Sequence, residues 1–144
     1  VVDPIAKIKS NTICYTAEKD KPISVNIAKH PQFISNEYID GQGIFTFKNK
    51  ITSIPEKAFF DCSKLDSIII PESVTEIGNS VFTRCHYLKM VYCQSTTPPT
   101  LGENAFSNIS REAKICVPKN SVALYKSANG WKDYASKIVG CDFK

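Results

Sequence analysis

The sequence contains few residues of the types on which catalysis and metal binding depend. Among its 144 residues there are only two histidines, His30 and His86, and no Cys-x-x-Cys or His-x-x-x-His spacing favours a metal or redox site. His86 directly follows Cys85, and because adjacent side chains project in different directions, the two cannot act as a nucleophile and its base. Paired carboxylates are lacking as well. We therefore predict a protein that is not an enzyme and holds no cofactor or metal.

Long apolar runs and clusters of one charge are also missing. The longest purely aliphatic stretch is Ile68–Ile70, far short of the roughly 18 residues that a membrane-spanning helix needs. The net charge is +4, but the 18 Lys and Arg residues are mixed with 14 acids and never form a run of four, which argues against a nucleic-acid partner. Val1–Pro4 show no secretory signal pattern. Because the sequence does not begin with Met, we expect a processed or trimmed chain.

What the sequence does contain is an internal repeat. Segments 51–70 and 74–93 align at an offset of 23, and their apolar positions recur. The matched pairs are Ile54 with Ile77, Phe59 with Phe82, Cys62 with Cys85, and Leu65 with Leu88. A weaker third copy follows at an offset of 24, and it matches Phe82 with Phe106 and Val91 with Ile115. Such self-similarity is typical of a stacked repeat protein.

Each copy has the pattern of one coil. Leu65-x-x-Ile68-x-Ile70 alternates as a short strand with inward side chains, and Ala58–Leu65 predicts a turn or short helix on the opposite wall. One coil cannot cover its own apolar face, so the copies must stack and share a core. The period lies within the range that is typical of leucine-rich repeats. The predicted fold is an α/β solenoid, a short leucine-rich-repeat right-handed coil with a parallel β-sheet.

The repeat pattern, Ile-x-x-Ile-Pro/Gly-x-x-x-Phe-x-x-Cys-x-x-Leu-x-x-Ile-x-Ile-Pro, resembles the BspA-type leucine-rich repeats of bacterial surface proteins, which are abundant in gut and oral Bacteroidetes. Segments outside the repeats carry the likeness further, namely Thr12–Thr16, Ile34–Ile44, Gln94–Phe106, and Val117–Tyr125 with Gly130-Trp131. The resemblance implies a secreted or cell-surface module for recognition or adhesion. Its partner would be a host or other extracellular protein or a glycan. The alternative is a structural spacer or terminal cap with no ligand of its own.

Three parts are expected along the chain. Residues 1–43 form an N-terminal capping segment, residues 44–118 carry about two full repeats with partial copies at the ends, and residues 119–144 form a C-terminal helical cap. The two raw ends of a stacked sheet need such covers. Because segments 12–16 and 23–27 both alternate around a polar linker, we predict a β-hairpin within the N-terminal cap.

The C-terminal cap is predicted to contain two short helices. The first spans 122–128 and is capped by Asn120 or Ser121. The second places Trp131, Tyr134 and Ile138 on one face. We favour an interpretation in which Trp131 plugs the open end of the core, and the alternative is a sugar-stacking aromatic.

Six cysteines in a secreted protein would suggest disulfides, but the geometry of the repeat argues against a disulfide between equivalent positions of successive copies. Stacked positions lie about 4.8 Å apart with parallel side chains, so the Cβ atoms of Cys62 and Cys85 stay beyond the roughly 3.5–4.5 Å that a disulfide prefers. We predict that these two are small buried hydrophobes. Cys116 is expected to face outward as an exposed thiol, and the states of Cys14 and Cys141 are left open.

In each strand, the residues between those that point into the core are expected to form an exposed sheet face. Aligning the copies, with a partial copy around Phe45, places Thr46, Ile69, Tyr92 and Cys116 in one column and Ile44, Ser67, Met90 and Lys114 in the next. The predicted ligand-binding residues on this face are Thr46, Ile69, Met90, Tyr92 and Lys114. Three of them are large and apolar or amphipathic at positions where folding requires no such character, which is typical of an interaction site. The alternatives are that a coil end or a crystal neighbour covers them, or that they are scattered surface residues without a function.

Overall fold

The structure, a computed structural model, describes residues 6–144, which form ten strands and one short α-helix. The strands are β1 (Thr12–Ala17), β2 (Phe33–Ile39), β3 (Gln42–Phe47), β4 (Ser53–Ile54), β5 (Leu65–Ile70), β6 (Glu76–Ile77), β7 (Met90–Cys93), β8 (Thr100–Leu101), β9 (Lys114–Pro118) and β10 (Ile138–Cys141), and the helix is α1 (Val122–Ser127). Short 3₁₀ segments occupy Glu18–Asp20, Asn26–Lys29, Lys119–Ser121 and Trp131–Lys137. Residues 1–5 lie outside the described residues. They include the start of the predicted N-terminal cap and the segment Val1–Pro4, whose sequence shows no signal pattern.

Seven strands form one mixed sheet in the order β10-β9-β7-β5-β1-β3-β2. The strands β5, β7, β9 and β10 run parallel to one another. In contrast, β1 is antiparallel to both β5 and β3, and β2 is antiparallel to β3. The two-residue strands β4, β6 and β8 form a second, parallel sheet. The parallel part of the predicted sheet is therefore present, and an antiparallel part extends it.

The register of the parallel strands repeats the sequence offsets. Ser67 on β5 pairs with Met90 on β7, and Met90 pairs in turn with Lys114 on β9. These are the partners that the alignment of the copies requires. The same two offsets join Ile54 to Ile77 and Ile77 to Leu101 in the small sheet. Because the offsets are the same in both sheets, each repeat contributes one strand to the main sheet and one to the small sheet. This confirms the predicted period.

Aromatic side chains form a column through the core. Phe59, Phe82 and Phe106 are at most 2% exposed, and successive ring centroids lie 5.4 Å apart with planes within 8° of parallel. Trp131 continues the column at 5.7 Å from Phe106. Burying one such side chain contributes about 1.5–3 kcal/mol, and stacked pairs add about 0.5–1.5 kcal/mol each. The predicted ladder of phenyl groups is confirmed.

The turns opposite the main sheet are joined by their own hydrogen bonds. The backbone nitrogen of Phe59 donates to the carbonyl oxygen of Val81 at 3.0 Å, and the equivalent bond recurs one coil further along. The coils approach so closely here that a Cβ atom on Gly102 would overlap the backbone nitrogen of Asn79. Glycine at this position is therefore a requirement of stacking.

The predicted N-terminal hairpin is wrong. Instead of pairing with residues 23–27, β1 inserts between β3 and β5 as a central strand, and residues 23–27 run into a 3₁₀ turn. Insertion satisfies the edge of β5 with hydrogen bonds and buries Ile13 and Tyr15 completely. Gly43 makes room for it, because a Cβ atom there would overlap the Tyr15 ring. The hairpin that does form joins β2 and β3 through a turn at Gly41.

The C-terminal segment packs as predicted at Trp131 but differs in its details. Trp131 is 0% exposed, and its Nε1 donates to the carbonyl oxygen of Pro99 at 2.7 Å, so it plugs the core and is closed to sugars. No side chain caps the start of α1, because the Ser121 hydroxyl donates to Thr96 instead. The second predicted helix is a 3₁₀ segment, Trp131–Lys137. The prediction that Ile138 shares its face is wrong, because Ile138 begins β10, a strand that the sequence did not predict.

Candidate functional site

The outer face of the main sheet carries two rows of side chains. The first row runs across six strands as Ile44, Cys14, Ile69, Tyr92, Cys116 and Val139. The second row runs as Thr16, Ser67, Met90 and Lys114. Within β5, β7 and β9 the neighbours in both rows are those that the alignment of the copies predicted, and this part of the prediction is confirmed.

Thr46 does not join those rows. Because β1 lies between β3 and β5, Thr46 pairs with Thr12, and Ile44 takes the place opposite Cys14 in the first row. The prediction that Thr46 stands beside Ile69 is therefore wrong. It failed because the alignment of copies could not reveal a strand inserted between them.

The segment before β1 covers the centre of the first row. Ile8 is 9% exposed and packs against Cys14 and Ile69, with Ile44 and Tyr92 at the margin. Ile69 is only 2% exposed, so the prediction that it lies on an exposed face is wrong. The physical reason is that an open cluster of large aliphatic groups in water is costly, and Ile8 removes it from solvent.

A buried glutamine holds this covering segment in place. The Gln94 side chain is buried, its Oε1 accepts a hydrogen bond from Ile8 N at 3.0 Å, and its Nε2 donates to Ala6 O at 2.7 Å. The backbone nitrogen of Lys7 donates to Lys144 O at 3.1 Å. Residues 6–11 are thus held by hydrogen bonds that join their main chain to the Gln94 side chain and to Lys144, and by the Ile8 side chain on the sheet. We call these residues the N-terminal strap.

The rest of the predicted surface stays open. Lys114 is exposed, and Thr46, Met90 and Tyr92 are half-buried. Partial burial beside the strap raises the pKa of Tyr92 above its usual value, so it presents a neutral hydroxyl at physiological pH. Ser67 lies in the second row beside Thr16 of β1, and the two hydroxyls share a 2.6 Å hydrogen bond. The open surface therefore consists of the second row, in which Met90 lies between the polar residues Ser67 and Lys114, with Tyr92 beside it.

Two of the cysteines are paired. Cys116 on β9 forms a disulfide with Cys141 on β10, with Cα atoms 5.7 Å apart. Cys116 is 2% exposed, so the prediction of an exposed thiol is wrong. Register explains the bond: Cys116 pairs with Val139, and Cys141 is the next residue on the same face of β10. Without β10, the sequence offered no partner for Cys116.

The remaining cysteines are free and inert. Cys14, Cys62, Cys85 and Cys93 are all buried and unbridged, which confirms the prediction for the two stacked cysteines of the repeat. Burial raises the pKa of Cys85 to about 12, and its thiol donates to the carbonyl oxygen of Phe59 at 3.0 Å. A protonated, enclosed thiol is a poor nucleophile.

A polar cleft that the sequence did not point to lies at the start of β5 and β7. Its volume is about 470 Å³, and its lining includes Glu18, Lys64, Asp66, Tyr87 and Lys89. Tyr87 is 64% exposed. Lys64 and Tyr87 lie in turns, Asp66 lies at the start of β5, and Glu18 follows β1. Exposed polar residues at such positions carry no periodic signal, so sequence reasoning missed them.

Within residues 6–144 no three His, Cys, Asp or Glu side chains come together as a metal site. Over the same residues no helix has the length and apolar character to cross a bilayer.

Of the two histidines, His30 forms a local hydrogen bond, in which its Nδ1 accepts from the backbone nitrogen of Gln32 at 3.1 Å.

Copies that recur at offsets of 23 and 24 residues, each with one strand in a parallel sheet and one phenyl group in a shared column, define a repeat protein. The family described as BspA type leucine rich repeat region (6 copies) matches residues 34–129, two thirds of the chain. The chain therefore belongs to the BspA-type leucine-rich repeat family. Leucine-rich repeats of this kind are generally non-catalytic and serve in protein recognition or as structural units. Comparison with curated proteins finds no significant match.

Proposed function

We propose that the chain is a non-catalytic recognition module of a secreted or cell-surface protein, and that it binds an extracellular protein through the open part of the sheet face. The binding residues in this proposal are Met90, Tyr92 and Lys114, whereas Thr46 lies apart from them on β3, beyond β1 and β5. Ile69, which is buried beneath the strap, has no part in it.

The proposal includes the architecture that presents this face. Residues 44–118 form a short right-handed solenoid of repeats, and residues 1–43 and 119–144 act as its caps. The support is that β1 occupies the edge of β5 and that Trp131 closes the phenyl column at the opposite end. Caps of this kind are needed because an open solenoid end exposes core side chains and unpaired strand edges.

The disulfide supports the location. A bond between Cys116 and Cys141 persists in oxidising surroundings such as the exterior of the cell, and it is reduced in most cytosols. Members of the family are typically associated with the surface. The two observations agree with the location that the sequence resemblance implies.

The shape of the open face favours a protein as partner. The main support for a protein partner is the row of Ser67, Met90 and Lys114. This row lies on three hydrogen-bonded strands beside the half-buried Tyr92. Met and Tyr are enriched in protein interfaces, and a rigid sheet reduces the entropy lost on binding. Three strands at about 4.8 Å per step give a small surface, so a single module would bind weakly, with repeats in a longer array adding avidity.

One observation favours the spacer function instead. Ile8 and Gln94 already engage the apolar centre of the face, which leaves a partner only its polar margin. In that case the strap completes the fold of a structural unit with no ligand of its own.

The experiment is a binding screen of the intact chain on an array of purified extracellular-matrix proteins, followed by surface plasmon resonance with two variants. We expect Met90→Glu and Lys114→Glu each to weaken binding of the partner at least tenfold. Lys126→Glu, an exposed lysine on α1, makes the same charge change away from the face and should have no effect. Binding that is insensitive to both face variants would remove the sheet face as the binding site, and absence of binding across the whole array would favour the spacer function.

A further inference from the structure

The cleft at the start of β5 and β7 is built by the stacking of neighbouring coils. Lys64 and Tyr87 occupy equivalent positions in successive copies, as do Asp66 and Lys89. The backbone nitrogen of Lys89 donates to Asp66 O at 2.9 Å, which places the second pair on adjacent rungs. Glu18 closes the third side, because its backbone nitrogen donates to Lys64 O at 2.9 Å. The cleft walls are therefore held by main-chain hydrogen bonds.

Tyr87 supplies an aromatic surface that the fold does not use. It is 64% exposed, whereas the leucine that follows it, Leu88, is completely buried in the core. An aromatic ring has a negative face, and it attracts the weakly positive C–H groups of a flat apolar surface. One face of a pyranose ring offers such C–H groups in a single plane.

The charged groups around the ring provide both kinds of hydrogen-bonding partner. Glu18 and Asp66 can only accept hydrogen bonds, and Lys64 and Lys89 can only donate them. Two acids and two lysines cancel in formal charge, which gives no net attraction for a phosphate or a polyanion. A hydroxyl group both donates and accepts, so the neighbouring hydroxyls of a sugar can satisfy the two kinds together.

We propose that this cleft is a carbohydrate subsite, in which a terminal sugar of a glycan packs its C–H face on Tyr87 and hydrogen-bonds through its hydroxyls to Asp66 and Lys89. The volume of about 470 Å³ lies within the roughly 300–1,000 Å³ of small-ligand sites and accommodates one ring with part of a second. The proposal extends the recognition role proposed above, but it uses a surface apart from Thr46 and Tyr92. All four charged groups are exposed, so a single sugar should bind weakly, with a Kd of about 1 mM.

The test is saturation-transfer-difference NMR on the intact chain with the methyl glycosides of glucose, galactose, mannose, fucose and N-acetylglucosamine, each presented alone. We expect saturation transfer to the C–H protons of at least one of them. Tyr87→Ala should abolish the transfer or weaken binding at least tenfold, whereas Tyr87→Phe keeps the ring and should retain most of it. Leu124→Ala, which removes an exposed apolar side chain on α1, is the matched control and should change nothing.

Thermal melting separates a local effect from misfolding. Because Tyr87 is exposed, Tyr87→Ala should melt within about 2 °C of the parent chain. Saturation transfer to none of the five glycosides, or transfer that survives Tyr87→Ala, would overturn the subsite. Sensitivity of sugar binding to Lys114→Glu but not to Tyr87→Ala would do so too, by moving the sugar to the sheet face. Loss of protein binding in the face variants with sugar binding intact would leave the subsite standing, so the two proposals can fail separately.

Discussion

Replacing Phe82 with alanine tests how much of the stability comes from the phenyl column. Phe82 is 0% exposed and its ring stacks on both neighbours at 5.4 Å, so its removal leaves a cavity with an aromatic wall on each side. Phe→Ala in a core costs about 3–5 kcal/mol, and the loss of two stacked pairs places Phe82→Ala at about 4–5 kcal/mol. A domain of this size has about 5–15 kcal/mol in total, so the variant should be close to unfolding.

The assay is urea denaturation followed by the fluorescence of the buried Trp131. Phe60→Ala is the matched control: Phe60 is half-buried, packs under Lys57 at 5.5 Å from its ring centroid, and should cost about 1 kcal/mol. If Phe82→Ala does not fold, Phe82→Leu should still lose more stability than Phe60→Ala. Equal losses at Phe82 and Phe60 would refute the account of the core.

Three further predictions concern other features of the fold. Gly102→Ala should lower the free energy of unfolding by more than about 2 kcal/mol in urea, because its Cβ atom would overlap Asn79, and an unchanged midpoint would argue against close stacking of the coils. Ile8→Ala should cost about 2 kcal/mol and speed the labelling of Cys14 by a thiol reagent, and a labelling rate equal to that of the parent chain would contradict coverage by the strap. Burial raises the pKa of Cys85 to about 12 and that of Cys14 to about 11, so the folded chain keeps thiol protons that the unfolded chain releases above about pH 8.5. The urea midpoint should therefore be unaffected by these thiols below that pH and should fall as the pH rises towards 11, and a midpoint that rises over this range would contradict their burial.

The sequence predicted the repeat and its core well because both follow from local periodicity. Equivalent residues of equal coils must stack, so the offset between two copies is enough to bring Phe59 onto Phe82 and Ser67 beside Met90. No knowledge of distant segments is needed for these contacts, since each coil touches mainly the next.

The ends of the structure escaped prediction because they depend on long-range pairing. The alternation in β1 is the same whether it pairs with residues 23–27 or enters the sheet beside β5, and only the tertiary context decides. The spacing of Trp131, Tyr134 and Ile138 suggested a helix, so β10 and with it the partner of Cys116 were missed. These errors affected the candidate site, where Thr46 was expected beside Ile69 and Cys116 was expected as a free thiol.

The strap and the cleft had no sequence signal of their own. The strap, residues 6–11, has a single large apolar side chain in the core, Ile8, and its main-chain bonds to Gln94 cannot be read from a pattern. Tyr87 lies in a turn position occupied by lysine in the preceding coil, so no column of like residues singled it out.

The most direct test of the stacked-coil account is NMR of the chain labelled with ¹³C in its phenylalanine rings. The account predicts nuclear Overhauser effects between the ring protons of Phe59 and Phe82 and between those of Phe82 and Phe106, because each pair has centroids 5.4 Å apart. It predicts none between Phe59 and Phe106, which are two coils apart. A direct effect between Phe59 and Phe106, or the absence of both neighbouring ones in the folded chain, would contradict it.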